Sequence, residues 1–166
     1  MIKVDKSASL RYNLYEKLVS MPYGRKREVT MDQRQLILAK QLVNYSVNVQ
    51  KGEKVLIEAV GIDYNFVNAL VKEIYSAGGI PVVNTMDNKI QRELIKGGNV
   101  KAFKAMAKYA KYRMKDMQCY IGIRGGNNAL ELSDVGATNM QNYMKHYSHP
   151  VHHEIRVKQT KWVVMR

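Results

Sequence analysis

Five lysines, Lys101, Lys104, Lys108, Lys111 and Lys115, recur every three or four residues along one stretch of the chain. On an ideal helix of about 3.6 residues per turn they fall within an arc of roughly 80°, opposite Phe103 and Met106. A stripe of ammonium groups can track a phosphate backbone by displacing its counterions, and Tyr109 and Tyr112 add stacking surface beside it. The same pattern is the ordinary solvated side of a helix, and no recognisable nucleic-acid motif accompanies it, so phosphate binding here is the minor reading.

A second concentration of chemistry is His146, His149, His152 and His153, followed by Glu154. Imidazoles bind zinc and nickel well, and ligands three or four apart on a helix share a side. The His-Glu-x-x-His spacing of zinc peptidases is absent, however, and Pro150 is expected to interrupt or restart the helix. These read as surface histidines with incidental metal affinity, so the sequence assigns no metal ligand. The pairs Gly97-Gly98 and Gly125-Gly126 could approach a phosphate, but neither belongs to a Gly-x-Gly-x-x-Gly run. The turn Glu58-Ala59-Val60-Gly61-Ile62-Asp63 has a single glycine, which excludes a dinucleotide fingerprint. There is no Gly-x-Ser-x-Gly elbow, no Walker sequence and no Cys/His nucleophile pair. Glu58, Glu73 and Asp134 read as structural carboxylates. No catalytic or cofactor-binding residue follows from the residues themselves.

The elements that would carry these groups are legible from their periods. Leu36, Ala39, Val43 and Val47 form a helical stripe ended by Gly52, and Lys54 to Val60 is a short apolar strand. Asp63 can cap a helix whose inner face is Val67, Leu70, Ile74 and Ala77, stopped by Gly78-Gly79. Ile80 to Met86 is a second strand, and Lys89 to Lys96 a short helix. Asn99 can cap a longer helix to about Lys115, with Phe103, Met106, Ala110 and Met114 inward. Met117 to Ile123 is a third strand, Arg124 to Gly136 mostly loop, Met140, Tyr143, Met144 and Tyr147 a further helix, and Trp162 to Met165 a fourth strand. Strands alternating with helices predict an α/β fold, a three-layer Rossmann-like or flavodoxin-like sandwich with a mainly parallel sheet of about four strands.

At 166 residues and 46% hydrophobic the chain can enclose one real core. Its apolar runs fall far short of the ~20 residues that span a bilayer. The single cysteine, Cys119, excludes an intrachain disulfide and reads as a buried, inert thiol suited to a reducing cytoplasm. The formal net charge of +13 is spread along the chain: residues 1–30 carry seven basic and three acidic side chains, residues 31–166 twenty and eleven.

Residues 1–30 keep neither a helical nor an alternating period, and they lack the apolar core of a secretory signal. Arg27-Glu28-Val29-Thr30-Met31 can be encoded by AGG GAG GTN ACN ATG, a purine-rich ribosome-binding site before a start codon. Two readings stand side by side: a translated leader ahead of a true start at Met31, or a flexible N-terminal extension. At the other end, Lys161 to Arg166 reads as a strand with no turn or polar tail after it, which is the look of a piece of a longer protein.

The order of features from Met31 resembles the N-terminal domain of the thermophilic metallo-aminopeptidase family, which includes aminopeptidases S, T and II. The residues that carry it are Leu42-Val43-Asn44-Tyr45-Ser46, Gln50-Lys51-Gly52-Glu53-Lys54-Val55-Leu56-Ile57, Ala77-Gly78-Gly79-Ile80-Pro81, Tyr120-Ile121-Gly122-Ile123-Arg124 with Asn127-Asn128, Leu132-Ser133-Asp134-Val135 and Lys161-Trp162. The resemblance covers residues 31–166. It implies a dimeric cytoplasmic exopeptidase that removes N-terminal amino acids with two divalent ions, cobalt, zinc or magnesium, which activate water and polarise the scissile carbonyl. It also implies that the Glu, His and Asp ligands come from a larger C-terminal domain, which would be this domain's main partner. No family catalytic or metal-binding residue therefore carries over onto this sequence, and the domain is expected to be inactive alone, with a scaffolding role. The rival reading from the residues is a small basic nucleic-acid-binding module using the Lys101–Lys115 face.

Overall fold

In Lys54–Val60 six of seven side chains are buried, as in a strand covered on both faces. This strand, β1, pairs in parallel with β2 (Ile80–Met86) on one side and β3 (Cys119–Arg124) on the other, and β3 pairs in parallel with β4 (Lys161–Met165). The sheet order is β2-β1-β3-β4. Pro81, which cannot donate a ladder hydrogen bond, sits in an edge strand, where it is tolerated. The computed structural model describes residues 32–126, 128 and 130–166; residues 1–30, read above as leader or extension, lie outside the described residues.

Helices flank the sheet. Helix α1 (Gln33–Lys40) runs on as a π-helical segment, Gln41–Ser46, and packs with α2 (Tyr64–Ser76) on one face. The helices α3 (Asn88–Lys96), α4 (Val100–Met114) and α5 (Ala137–Tyr143) belong to the other side, and α5 is continued by a π-helical segment, Met144–Arg156, that packs along α4. The three-layer parallel α/β architecture expected from the alternating periods is the one observed.

The strand period of two sorts β1 and β3 between two cores. Val55, Ile57, Ala59, Cys119, Ile121 and Ile123 point toward α1 and α2, where Val43, Leu70 and Ile74 are fully buried. Leu56 and Tyr120 point the other way, against Met114, Met117 and Ile155. Each early helix begins on a side-chain cap: Asp32 accepts from the Arg34 N–H, Asp63 from Asn65, Asp87 from Lys89 and Asn99 from Ala102.

Two expectations need correction. Pro150 does not interrupt its helix: the chain passes through it in π-helical geometry, whose wider turn leaves room for the ring that an α-helix would crowd. Leu36, assigned to the buried stripe of α1, remains 43% exposed, while Ala39, Val43 and Val47 are buried as expected.

Candidate ligand cleft at the carboxyl edge of the sheet

Glu58 lies in the middle of a buried strand, where an isolated carboxylate would be costly. Its counter-charge comes from Arg156, near the end of the π-helical segment and 98 positions away in sequence. Arg156 Nη1 donates to Glu58 Oε1 at 2.8 Å and Nη2 to Oε2 at 2.5 Å, a bidentate pair. Tyr120, on the neighbouring strand, donates its hydroxyl to Glu58 Oε1 at 3.0 Å, and the Arg156 guanidinium lies 4.5 Å from the Tyr120 ring centroid. Burial, reinforced by the Glu58 charge, pushes the Tyr120 hydroxyl up to about 12. Burial works against the Arg156 charge, but Glu58 and Tyr120 outweigh it and raise its pKa.

This network forms part of the lining of a cleft of about 410 Å³ under the carboxyl ends of the strands. Asn84 and Met86 of β2, Arg124 at the end of β3, and Gln91 of α3 also face it. Ligands of open parallel sheets gather at this edge, so the location alone makes it the default site. His152 enters from the π-helical segment, its ring 6.1 Å from that of Tyr120 and 6.4 Å from that of Trp162. Burial, followed by the nearby charges of Arg124 and Arg156, lowers its pKa, so it is neutral at pH 7.

The four histidines therefore do not act together. His152 lines the cleft, whereas His149 and His153 are exposed; the His153 ring lies 5.3 Å from that of His149, tilted, and 5.2 Å from that of His152, edge-on. His149 and His153 edge a shallow surface groove with Met140 and Met144, and His149 Nε2 is 3.9 Å from Glu154 Oε1. Among the described residues, no group of three or more His, Cys, Asp and Glu side chains is placed to hold a metal ion. The donors described here do not fit the pair of divalent ions that the family resemblance implies.

The lysines of the predicted stripe all lie on α4 or its C-cap, with Lys111 half-buried and Lys101, Lys104, Lys108 and Lys115 exposed. None has an acidic partner among the described residues, and Tyr109 and Tyr112 beside them are 74% and 80% exposed. The stripe lies apart from the cleft, whose lining takes only Met106 from α4.

The glycines serve packing. A Cβ on Gly61, whose φ is +62°, would stand 2.7 Å from both Asn88 Nδ2 and the Gly125 carbonyl oxygen, so the β1 and β3 edge loops meet there. At Gly98 a Cβ would strike the Phe103 ring. The crevice where a dinucleotide fold would seat a phosphate is thus closed, and Asp63 already puts a carboxylate on the N-terminus of α2. The other two carboxylates singled out are also engaged. Glu73 accepts from Asn44 Nδ2, and Asp134 accepts from Arg92 and Lys96. Those two cations, Arg92 foremost, hold the Asp134 carboxyl well below the usual carboxylate range.

Arg156 was not foreseen. The signal was available: a lone glutamate inside Val55-Leu56-Ile57-Glu58-Ala59-Val60 requires a buried cation, and Ile155-Arg156-Val157 sets one among apolar residues. What sequence could not supply was the pairing of the two.

The fold is shared with solved structures. Wild-type AmpT from Thermus thermophilus superposes with a TM-score of 0.61 at 15% identity, over 80% of this chain and 36% of that chain. The CurK enoyl reductase matches at a TM-score of 0.36 and 11% identity, over 80% of this chain and 42% of that one, too loosely to bear on the argument. No curated protein matches the sequence. The chain spans little more than a third of the AmpT chain it resembles. The family model for thermophilic metalloprotease (M29) matches residues 31–166, and the chain belongs to that family.

Proposed function

We propose that this chain supplies the N-terminal, non-catalytic domain of a metal-dependent aminopeptidase, a cytoplasmic homodimer when complete. In this reading it is inactive alone and acts with a C-terminal metal-binding domain, for which it provides a scaffold and shapes access to the catalytic cavity. The observation that carries the reading is the match to the metalloprotease family on a chain whose described side chains offer no converging metal donors. The limited span of AmpT is consistent with it. No helix among the described residues is long and apolar enough to cross a membrane.

The test is hydrolysis of leucine p-nitroanilide by the purified chain with cobalt, zinc or magnesium. The expected result is no release above a mock purification. Release that co-purifies with the chain and disappears on chelation overturns the proposal.

The unpaired lysine face of α4, flanked by exposed Tyr109 and Tyr112, favours one second reading: a weak binding surface for single-stranded nucleic acid. A labelled single strand should then bind with an affinity that falls steeply with salt, and Lys104→Glu with Lys108→Glu should weaken it at least tenfold. Binding that ignores both salt and the double substitution rules this reading out.

A further inference from the structure

The cleft is better furnished than a purely structural seam requires. Met86, Leu94, Ile95, Met106, Leu132 and Met140 give much of its lining an apolar character. Some residues that line it carry polar groups without partners. Arg156 is 3% exposed, yet its Nε–H has no acceptor among the described residues, and the buried His152 Nδ1 likewise has no partner. Arg124, half-buried at the end of β3, has no acidic partner among the described residues. The Arg156 Nε and His152 Nδ1 atoms are enclosed by protein, so the lining cations open to a ligand are Arg124 and Arg166.

The charges define that ligand. Glu58 is the one acidic side chain in the described lining, and both of its oxygens are occupied by Arg156. Among the described residues Arg124 and Arg166 are left as uncompensated positive charge, and the downward pull of Arg124 and Arg156 on His152, after burial, indicates that these three are within electrostatic reach. The occupied Glu58 also means that an ammonium entering the cleft would find no counter-charge. A single negative charge on an apolar body matches both the walls and the donors. The volume falls within the roughly 300–1,000 Å³ of small-molecule sites.

We propose that the cleft binds an apolar monocarboxylate with no ammonium beside its carboxyl group, the carboxylate lying toward Arg124 and the body against the methionine-rich wall. Two sources share this chemistry: the apolar carboxyl end of a peptide and a medium-chain aliphatic acid. Octanoate and N-acetyl-leucyl-leucine, titrated calorimetrically into the 166-residue chain, distinguish them, with octanamide and free leucine as controls.

The expected result is one saturable site for at least one of the two carboxylates, the tighter of them identifying the source. Octanamide and leucine should bind at least tenfold more weakly. Arg124→Gln should weaken carboxylate binding tenfold or more, and Arg124→Lys should restore part of it. The proposal is overturned if neither carboxylate saturates, if octanamide binds as well as octanoate, or if a folded Arg124→Gln chain binds both acids unchanged. The comparison with octanamide uses the unmutated chain, so it decides the matter even if a variant fails to fold.

Discussion

On the α1–α2 face of the sheet, Val55, Ile57, Ala59, Cys119, Ile121 and Ile123 meet Val43, Leu70 and Ile74 in an unbroken apolar layer. On the opposite face, one residue along each strand, Leu56 and Tyr120 share the interior with Glu58 and Arg156. The first face has what burial alone demands. The second carries a buried ion pair that well-packed apolar residues could replace without loss of stability, and a cleft opens beside it. A sheet with helices on both sides can thus assign stability to one face and chemistry to the other. The pleat makes the division, because successive residues of one strand serve opposite faces.

Arg156→Met probes this contrast most severely. Removing one partner leaves the Glu58 charge buried and unpaired, at a cost of about 3–5 kcal/mol in urea unfolding. Adding Glu58→Leu should recover most of that loss, which no substitution on the apolar face can do. Leu70→Ala, on that apolar face, should cost about 2–5 kcal/mol through the cavity it leaves, without changing the affinity of any cleft ligand. A Leu70→Ala chain that is folded but loses cleft binding would break the division between the faces.

Asp63→Ala removes the cap of α2 and should cost about 1 kcal/mol, again in urea unfolding, with the cleft unaffected.

Alkaline titration separates the faces by residue. Burial raises the Cys119 thiol from 9.0 to about 11 and the Tyr120 hydroxyl from 10.0 to about 12. A raised folded-state pKa contributes stability that is complete below the unfolded value and is lost as the pH climbs toward the folded one. Stability should therefore decline from about pH 9 upward. Cys119→Ala should flatten the early part of the decline and Tyr120→Phe the later part. The smallest effect belongs to Asp134, whose ion pairs are partly solvent-exposed. Its lowered pKa gives a contribution present above the ordinary carboxylate value of 3.8 and lost as the pH falls through the folded one, so Asp134→Asn should cost a little stability at neutral pH and low salt, a difference that fades in acid.

The strands and the helix caps were legible because their signals are local. Lys54–Val60 and Ile80–Met86 are bounded by turn residues, and Asp63 and Asn99 stand where a helix must find an oxygen for its first free N–H groups. The passage of the last helix through Pro150 was not legible, since proline's local preference was overridden by the packing of the Met144–Arg156 segment along α4. The site was less legible than the fold. Glu58, Tyr120 and Arg156 belong to β1, β3 and the last helix, and only the sheet order brings them together. The histidine cluster gave the converse error of reading. Neighbours in sequence and in space are divided between the cleft and the surface: His152 lines the cleft, while His153, its ring 5.2 Å away, lines the outer groove with His149.

The central claim is that in this chain of the metalloprotease family the described residues bring no set of metal donors together, and cobalt titration tests it directly. The purified chain, titrated with cobalt and followed by visible absorption and equilibrium dialysis, should take up no stoichiometric metal at micromolar concentration. Any weak uptake at the surface should vanish with His149→Ala and His153→Ala. Two tightly held ions per chain, retained in that double variant, would contradict the account.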